Sequence, residues 1–178
     1  WHTKRNITQN IVFIAKGAHT PNCDPKSISS QLTESLERLK IDSADIYIMH
    51  RDNVNIPVDE FIDVLNDEKN KGRIKIFGGS NWTLDRFEEA NNWAKKNNKQ
   101  LFSILNNNLA LSKMIRPLWS GCISSNNNSI LEYLEKTQTA HLSWSSQGRG
   151  YFLPMEVCKK IEEKITKEES SWRKPGEN

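Results

Sequence analysis

At 178 residues, 36% hydrophobic and 26% charged, the chain has the balance of an ordinary globular domain with one core, which excludes bulk disorder. Its net charge of +3 comes from Lys and Arg interleaved with Asp and Glu, so there is no basic block of the kind that binds nucleic acid. No apolar run reaches the roughly 18 residues of a membrane span, and the opening WHTKRNITQN lacks the apolar core of a secretion signal.

Three widely spaced cysteines, Cys23, Cys122 and Cys158, form no CxxC pair or Cys/His cluster. No metal site is expected, and a reducing, cytoplasmic setting fits this usage. The chain opens on Trp1 rather than Met, which reads as a fragment or a processed product.

In chain order, short apolar β-branched runs stand at IVFIAK (11–16), DIYIMH (45–50), IKIFGGSN (74–81), LFSILN (101–106) and HLSWSS (141–146). Between them, apolar residues recur at helical spacing: Ile28, Leu32, Leu36 and Leu39; Val58, Phe61, Ile62 and Leu65; Leu84, Phe87, Ala90 and Ala94; Ile130, Leu131 and Leu134. Ser27 or Ser29, Pro57, and Asn81 or Thr83 mark the expected starts of the first three helices. The Lys/Glu-rich tail after Pro154 reads as a surface helix.

Continuous apolar strands alternating with amphipathic helices predict an α/β fold with a parallel sheet covered on both faces. Alternation alone does not separate a barrel from a doubly wound sheet, but no GxGxxG turn follows the first strand, which disfavours a dinucleotide-binding Rossmann unit. The chain is expected to hold about five of the eight units of a (β/α)8 TIM barrel, as one incomplete domain over residues 1–178.

Barrels of this class place their chemistry at the C-terminal strand ends, and here each end carries a polar group. Lys16 follows IVFIA, either as a solvated ammonium or as one whose pKa burial shifts. His50 ends DIYIM and is either a satisfied core histidine or a donor to a carbonyl oxygen, its tautomer held by Arg51 or Asp52. Ser80 and Asn81 suit helix capping as well as ligand binding. Asn106 to Asn108 form either a loop-building cluster or a set of amides for a ligand carboxamide. Trp144 is a core residue or a flat face on which a planar ring can stack.

Taken together, SLERLKIDSADIYIMHRDN (35–53), PVDEFIDVLNDEKNKGRIKIFGGSNWT (57–83) and AHLSWSSQGRGYF (140–152) resemble blocks of the aldo/keto reductase superfamily, over about residues 11–153. The WSGC stretch (119–122) is similar to a feature of one bacterial-type subgroup. By resemblance, Lys16 is the catalytic lysine and His50 the histidine that orients the carbonyl. Ser80, Asn81 and Asn106 hold the nicotinamide carboxamide, with Asn106 standing where the family usually has Gln. Trp144 stacks on the nicotinamide, and Ser145, Ser146, Gln147 and Gly148 lie near the pyrophosphate.

The resemblance implies NADP(H) as cofactor and reduction of a small aldehyde or ketone by direct hydride transfer. It also implies a Tyr acid assisted by an Asp, and a basic loop for the 2′-phosphate. None of these is matched: Tyr47, Tyr133 and Tyr151 stand in other contexts. A chain so constituted is expected to be inactive by itself. Two other readings stay open, a nicotinamide-binding regulatory subunit and an inert truncated product.

Overall fold

The computed structural model describes residues 1–114, 116–148, 151–154 and 156–157. A short helix α1 (His2–Arg5) and a single 3-10 turn precede the first strand. The order is then β1 (Ile14–Gly17), α2 (Pro25–Leu39), β2 (Ala44–Met49), α3 (Val58–Asn70), β3 (Ile74–Ser80), α4 (Leu84–Lys96), β4 (Ile104–Asn106), α5 (Asn128–Thr137) and β5 (Ala140–His141).

All four strand pairings are parallel, and the sheet order is β1-β2-β3-β4-β5. A doubly wound sheet reverses its strand order at a switch point, whereas a barrel wall runs in sequence. The strictly sequential order is therefore that of a TIM-barrel wall, as expected, and it makes the choice that alternation of elements alone leaves open.

Helix packing follows the predicted apolar stripes. Ile28, Leu32 and Leu36 of α2, Phe61, Ile62 and Leu65 of α3, and Phe87, Ala90 and Ala94 of α4 are buried. They cover one face of the sheet, joining Ala15, Tyr47, Met49, Phe77 and Leu105 in a single core. Phe102 is its aromatic hub, stacked on Phe87 and edge-on to Phe77 and Trp82. The opposite face carries the registered rows Ile14, Ile46, Ile76 and Lys16, Ile48, Gly78, Ile104. Gly78 is required there, because a Cβ would lie 2.1 Å from the Ile104 carbonyl oxygen.

Several boundaries differ from the sequence reading. The cap of α2 is Asp24, whose carboxylate accepts from the Ser27 amide, with Pro25 at the first helical position. Ser27 and Ser29 lie inside that helix. Thr83 caps α4 by accepting from the Arg86 amide, so neither Ser80 nor Asn81 does. The first strand begins at Ile14 rather than Ile11, because the Phe13 amide is taken by the Asp45 carboxylate. The fourth begins three residues later than expected, and the fifth is reduced to Ala140–His141 plus an isolated bridge between Asn108 and Trp144. Most of the helix expected after Pro154, and Cys158 with it, lies outside the described residues. Among those described, no helix is long and apolar enough to cross a membrane.

Candidate active site

Lys16 is the centre of the strand-end cluster. It sits one residue before the end of β1, and its side chain passes over Ile48 of β2 to reach the next two strands. Its Nζ donates to Ser80 Oγ at 3.1 Å and to Asn106 Oδ1 at 2.6 Å. Ser80 donates in turn to the Asn106 carbonyl oxygen at 2.7 Å. Three of the residues singled out in the sequence are thus joined in one network across β1, β3 and β4. Lys16 is exposed overall, yet its polar end is flanked closely enough that loss of water lowers its pKa to about 8. The Arg51 charge pushes the same way, and Cys122 opposes it.

His50 follows β2, anchored through its backbone amide to the Gly17 carbonyl at 2.6 Å. Its imidazole lies edge-on to that of His19, with ring centroids 4.5 Å apart. Partial burial, then the charges of Lys16, His19 and Arg51, lower its pKa to about 4, so the ring is neutral near pH 7. Asp52 does not orient it. That carboxylate is held by both arms of Arg86 at 3.0 and 3.1 Å.

The amides divide the work. Asn81 adopts a left-handed conformation, φ 58°, and braces the site: its amide nitrogen donates to Ser80 Oγ and the His50 carbonyl, while its Oδ1 accepts from the Ile123 amide. Asn107 and Asn108 are buried and bond only to backbone groups, Asn107 to Asn81 and Trp82, Asn108 to Trp144. Asn106 faces the network, holding Lys16 and donating to the Leu142 carbonyl. Of the three, only Asn106 has its side chain in the Lys16 network, and the other two knit the strand ends together.

Trp144 and Ser145 come to the same place. With Lys16, His50, Arg51 and Trp119 they line a cavity of about 220 Å³. It adjoins a larger one of about 840 Å³, walled by His19, Val54, Trp119 and Gly121 and sharing His50 and Arg51. The Trp144 Nε1 is buried with no protein acceptor among the described residues. Ser146 and Gln147 are exposed in the turn that follows, and Gly148 closes it by donating to the Ser145 carbonyl at 2.9 Å, with φ 63°. Gly148 and Ser145 also line a small groove beside Ser112 and Lys113.

Four further contributors are His19, which the sequence reading does not single out, Arg51, expected there only as a partner of His50, and Trp119 and Cys122, noted there as the ends of WSGC. They come from loops outside the apolar runs, and nothing in local pattern singles them out as neighbours of Lys16. Tyrosines do not join the cluster. Tyr47 lies on the helix-covered face with its hydroxyl against Gly17, Tyr133 Oη accepts from Asn91 on that same side, and Tyr151 is exposed. Among the described residues no group of three or more His, Cys, Asp or Glu is placed to hold a metal ion.

Comparison with known proteins places this geometry. The chain is 38% identical over 71 residues to an NADH-specific methylglyoxal reductase of Escherichia coli, covering 38% of the chain and 22% of that protein. A putative voltage-gated potassium channel subunit beta of Schizosaccharomyces pombe is 27% identical over 101 residues, covering 55% of the chain and 29% of the relative. An aldo-keto reductase of Alternaria alternata is 25% identical over 124 residues, covering 70% and 31%. The chain therefore spans less than a third of the length of these relatives. A crystal structure of a thermostable aldo-keto reductase in complex with the inhibitor epalrestat superposes with a TM-score of 0.64 at 21% identity, over 89% of this chain and 52% of that one. The family model for the aldo/keto reductase family matches residues 2–168, and the chain belongs to that family.

Proposed function

We propose that this chain carries the nicotinamide-holding and carbonyl-orienting part of an NAD(P)H-dependent aldehyde or ketone reductase. The observation that carries the reading is the single network of Lys16, Ser80 and Asn106 beside His50 and Trp144. The residues fit the group: Trp144 offers a flat wall with an unanswered N–H, and Asn106 and Ser80, now bonded to Lys16, carry the amide and hydroxyl that would turn to a carboxamide. When bound, the reduced nicotinamide supplies the hydride.

The protein's own part is positioning and electrostatics. Neutral His50 donates a ring N–H to the substrate oxygen. Lys16, largely cationic at pH 7, stabilises negative charge as it develops on that oxygen. Ser145 to Gly148 are proposed to receive the pyrophosphate through the backbone of their turn. The final protonation needs an acid, and none of Tyr47, Tyr133 and Tyr151 stands at Lys16. The chain by itself is accordingly proposed to bind the nucleotide without sustained turnover.

NADP(H) is the expected partner from the resemblance, while the name of the Escherichia coli relative supports testing NADH beside it. The Schizosaccharomyces pombe relative favours a second reading, in which nicotinamide is held to regulate a partner rather than to reduce a substrate. Calorimetry with NADPH and NADH, set beside their oxidation in the presence of an aromatic aldehyde, tests the proposal. Nucleotide binding without aldehyde-dependent oxidation is expected. Absence of nucleotide binding would overturn the cofactor reading, and steady turnover would overturn the need for an outside acid.

A further inference from the structure

Arg51 and Arg86 sit on either side of Asp52, and their fates are opposite. Arg86 takes both carboxylate oxygens of Asp52, adds Glu89 and the Ile56 carbonyl, and is thereby fully answered. Arg51 has no carboxylate within ion-pair distance among the described residues. Its Nη2 meets the Cys122 sulfur at 3.6 Å, a weak acceptor, and its Nη1 is buried with no partner among the described residues. Residues 119–122 fold over it, with the Cys122 amide bonded to the Trp119 carbonyl and Gly121 at φ 73° leaving room beside Nη1.

A guanidinium cannot shed its proton to escape such surroundings, so a half-buried fork with one arm on a weak sulfur acceptor and the other buried without one is costly unless an anion meets it. Arg51 lines both cavities at the site and shares them with His50. The neighbouring charge is also positive, since Lys16 stands close enough for Arg51 to depress its pKa.

We infer that Arg51 is a specificity residue that receives the carboxylate of a carbonyl substrate, so that the substrate class is an oxo acid or a carboxylated aldehyde rather than a neutral carbonyl compound. The inference rests on the reading of this site as a reductase site. A planar carboxylate matches the guanidinium fork, and the partly apolar walls given by Trp119 and Val54 suit the body of such a molecule. His50, the next residue in the chain, is then placed to meet the carbonyl end of the same molecule.

The test uses the full chain with 4-carboxybenzaldehyde and its neutral methyl ester as paired probes, titrated calorimetrically with and without oxidised nucleotide, which has no hydride to give. The acid is expected to bind about tenfold more tightly than the ester, as a charge-assisted bidentate contact should. In Arg51→Met that ratio should fall to about twofold or less, and Arg51→Lys, which keeps the charge without the fork, should lie between. Far-ultraviolet circular dichroism of each variant establishes that it is folded, and the Lys variant keeps the test decisive if the Met variant is not.

An unchanged ratio in a folded variant, or an ester that binds the unaltered chain as well as the acid does, would overturn the inference. Inorganic pyrophosphate serves as a third probe. If it shows the Arg51 dependence and the carboxylate does not, the anion belongs to the nucleotide and the substrate assignment is overturned. Nucleotide binding without acid preference removes this inference and leaves the proposed function standing; acid preference without nucleotide binding overturns the reductase reading and with it the assignment of Arg51 to a carbonyl substrate.

Discussion

The two faces of the sheet are built from the same strands and do different things. On the helix-covered face Ala15, Tyr47, Met49, Phe77 and Leu105 are buried against α2, α3 and α4 in one continuous core. On the other face Ile14 is 50% and Ile76 36% exposed, and Lys16 carries a shifted pKa. Two indoles make the same contrast. The Nε1 atoms of Trp82 and Trp144 are both buried without an acceptor, but Trp82 is sealed in the aromatic core while Trp144 borders a cavity. Both sides hold buried polar atoms without a partner among the described residues, but those of Trp144 and Arg51 belong to residues that border a cavity, where a ligand can answer them.

Substitutions should separate the two. The largest effect is expected on the covered face: Phe102→Ala removes a ring that touches Phe77, Trp82 and Phe87, and should lower unfolding free energy by about 3–5 kcal/mol in denaturant titration. A loss below about 1 kcal/mol would deny that this face dominates stability. Asn107 ties the faces together through the Asn81 amide and the Trp82 carbonyl, so Asn107→Ala should cost about 1–3 kcal/mol by stranding both.

The pH response sharpens the comparison. The pKa of Lys16 is lowered from 10.5 to about 8, so the unfolded chain holds that proton more tightly between these values, and this group's contribution to stability rises with pH across that window. Nucleotide affinity should change little through pH 8, because Lys16 is assigned to the substrate oxygen, and Lys16→Met should leave that affinity nearly intact. His50, lowered to about 4, should give no inflection near its ordinary 6.5. The smallest effect is expected at Ile76, where replacement by Thr on the exposed row should change stability by no more than about 0.5 kcal/mol.

The covered face was the legible one. Parallel strands shielded on both sides must be apolar throughout, and amphipathic helices must show a stripe, so β1 to β4 and α2 to α5 stand out from residue spacing. Where tertiary bonds outweigh local pattern, the reading slipped. Asp45 takes the Phe13 amide and shortens β1, and Asp24 outcompetes Ser27 for the cap of α2. Of HLSWSS only His141 joins the ladder, with an isolated bridge at Trp144, although its apolar character suggests a full strand. At the site, Lys16, Ser80 and Asn106 could be found because strand ends are fixed by the strands. That Arg51, His19 and Cys122 gather around them could not be read, since their meeting depends on how loops fold over one another.

The two buried indoles also offer the most direct test of the central claim, that the strand-end cluster holds a nicotinamide ring. In a ¹H–¹⁵N correlation spectrum of the chain, whose six tryptophans give six indole N–H signals, Trp82→Phe and Trp144→Phe assign the two that matter. Titration with NADPH or NADH should move the Trp144 signal in step with occupancy and leave the Trp82 signal where it is. A Trp144 indole that stays fixed at saturating nucleotide would contradict the account.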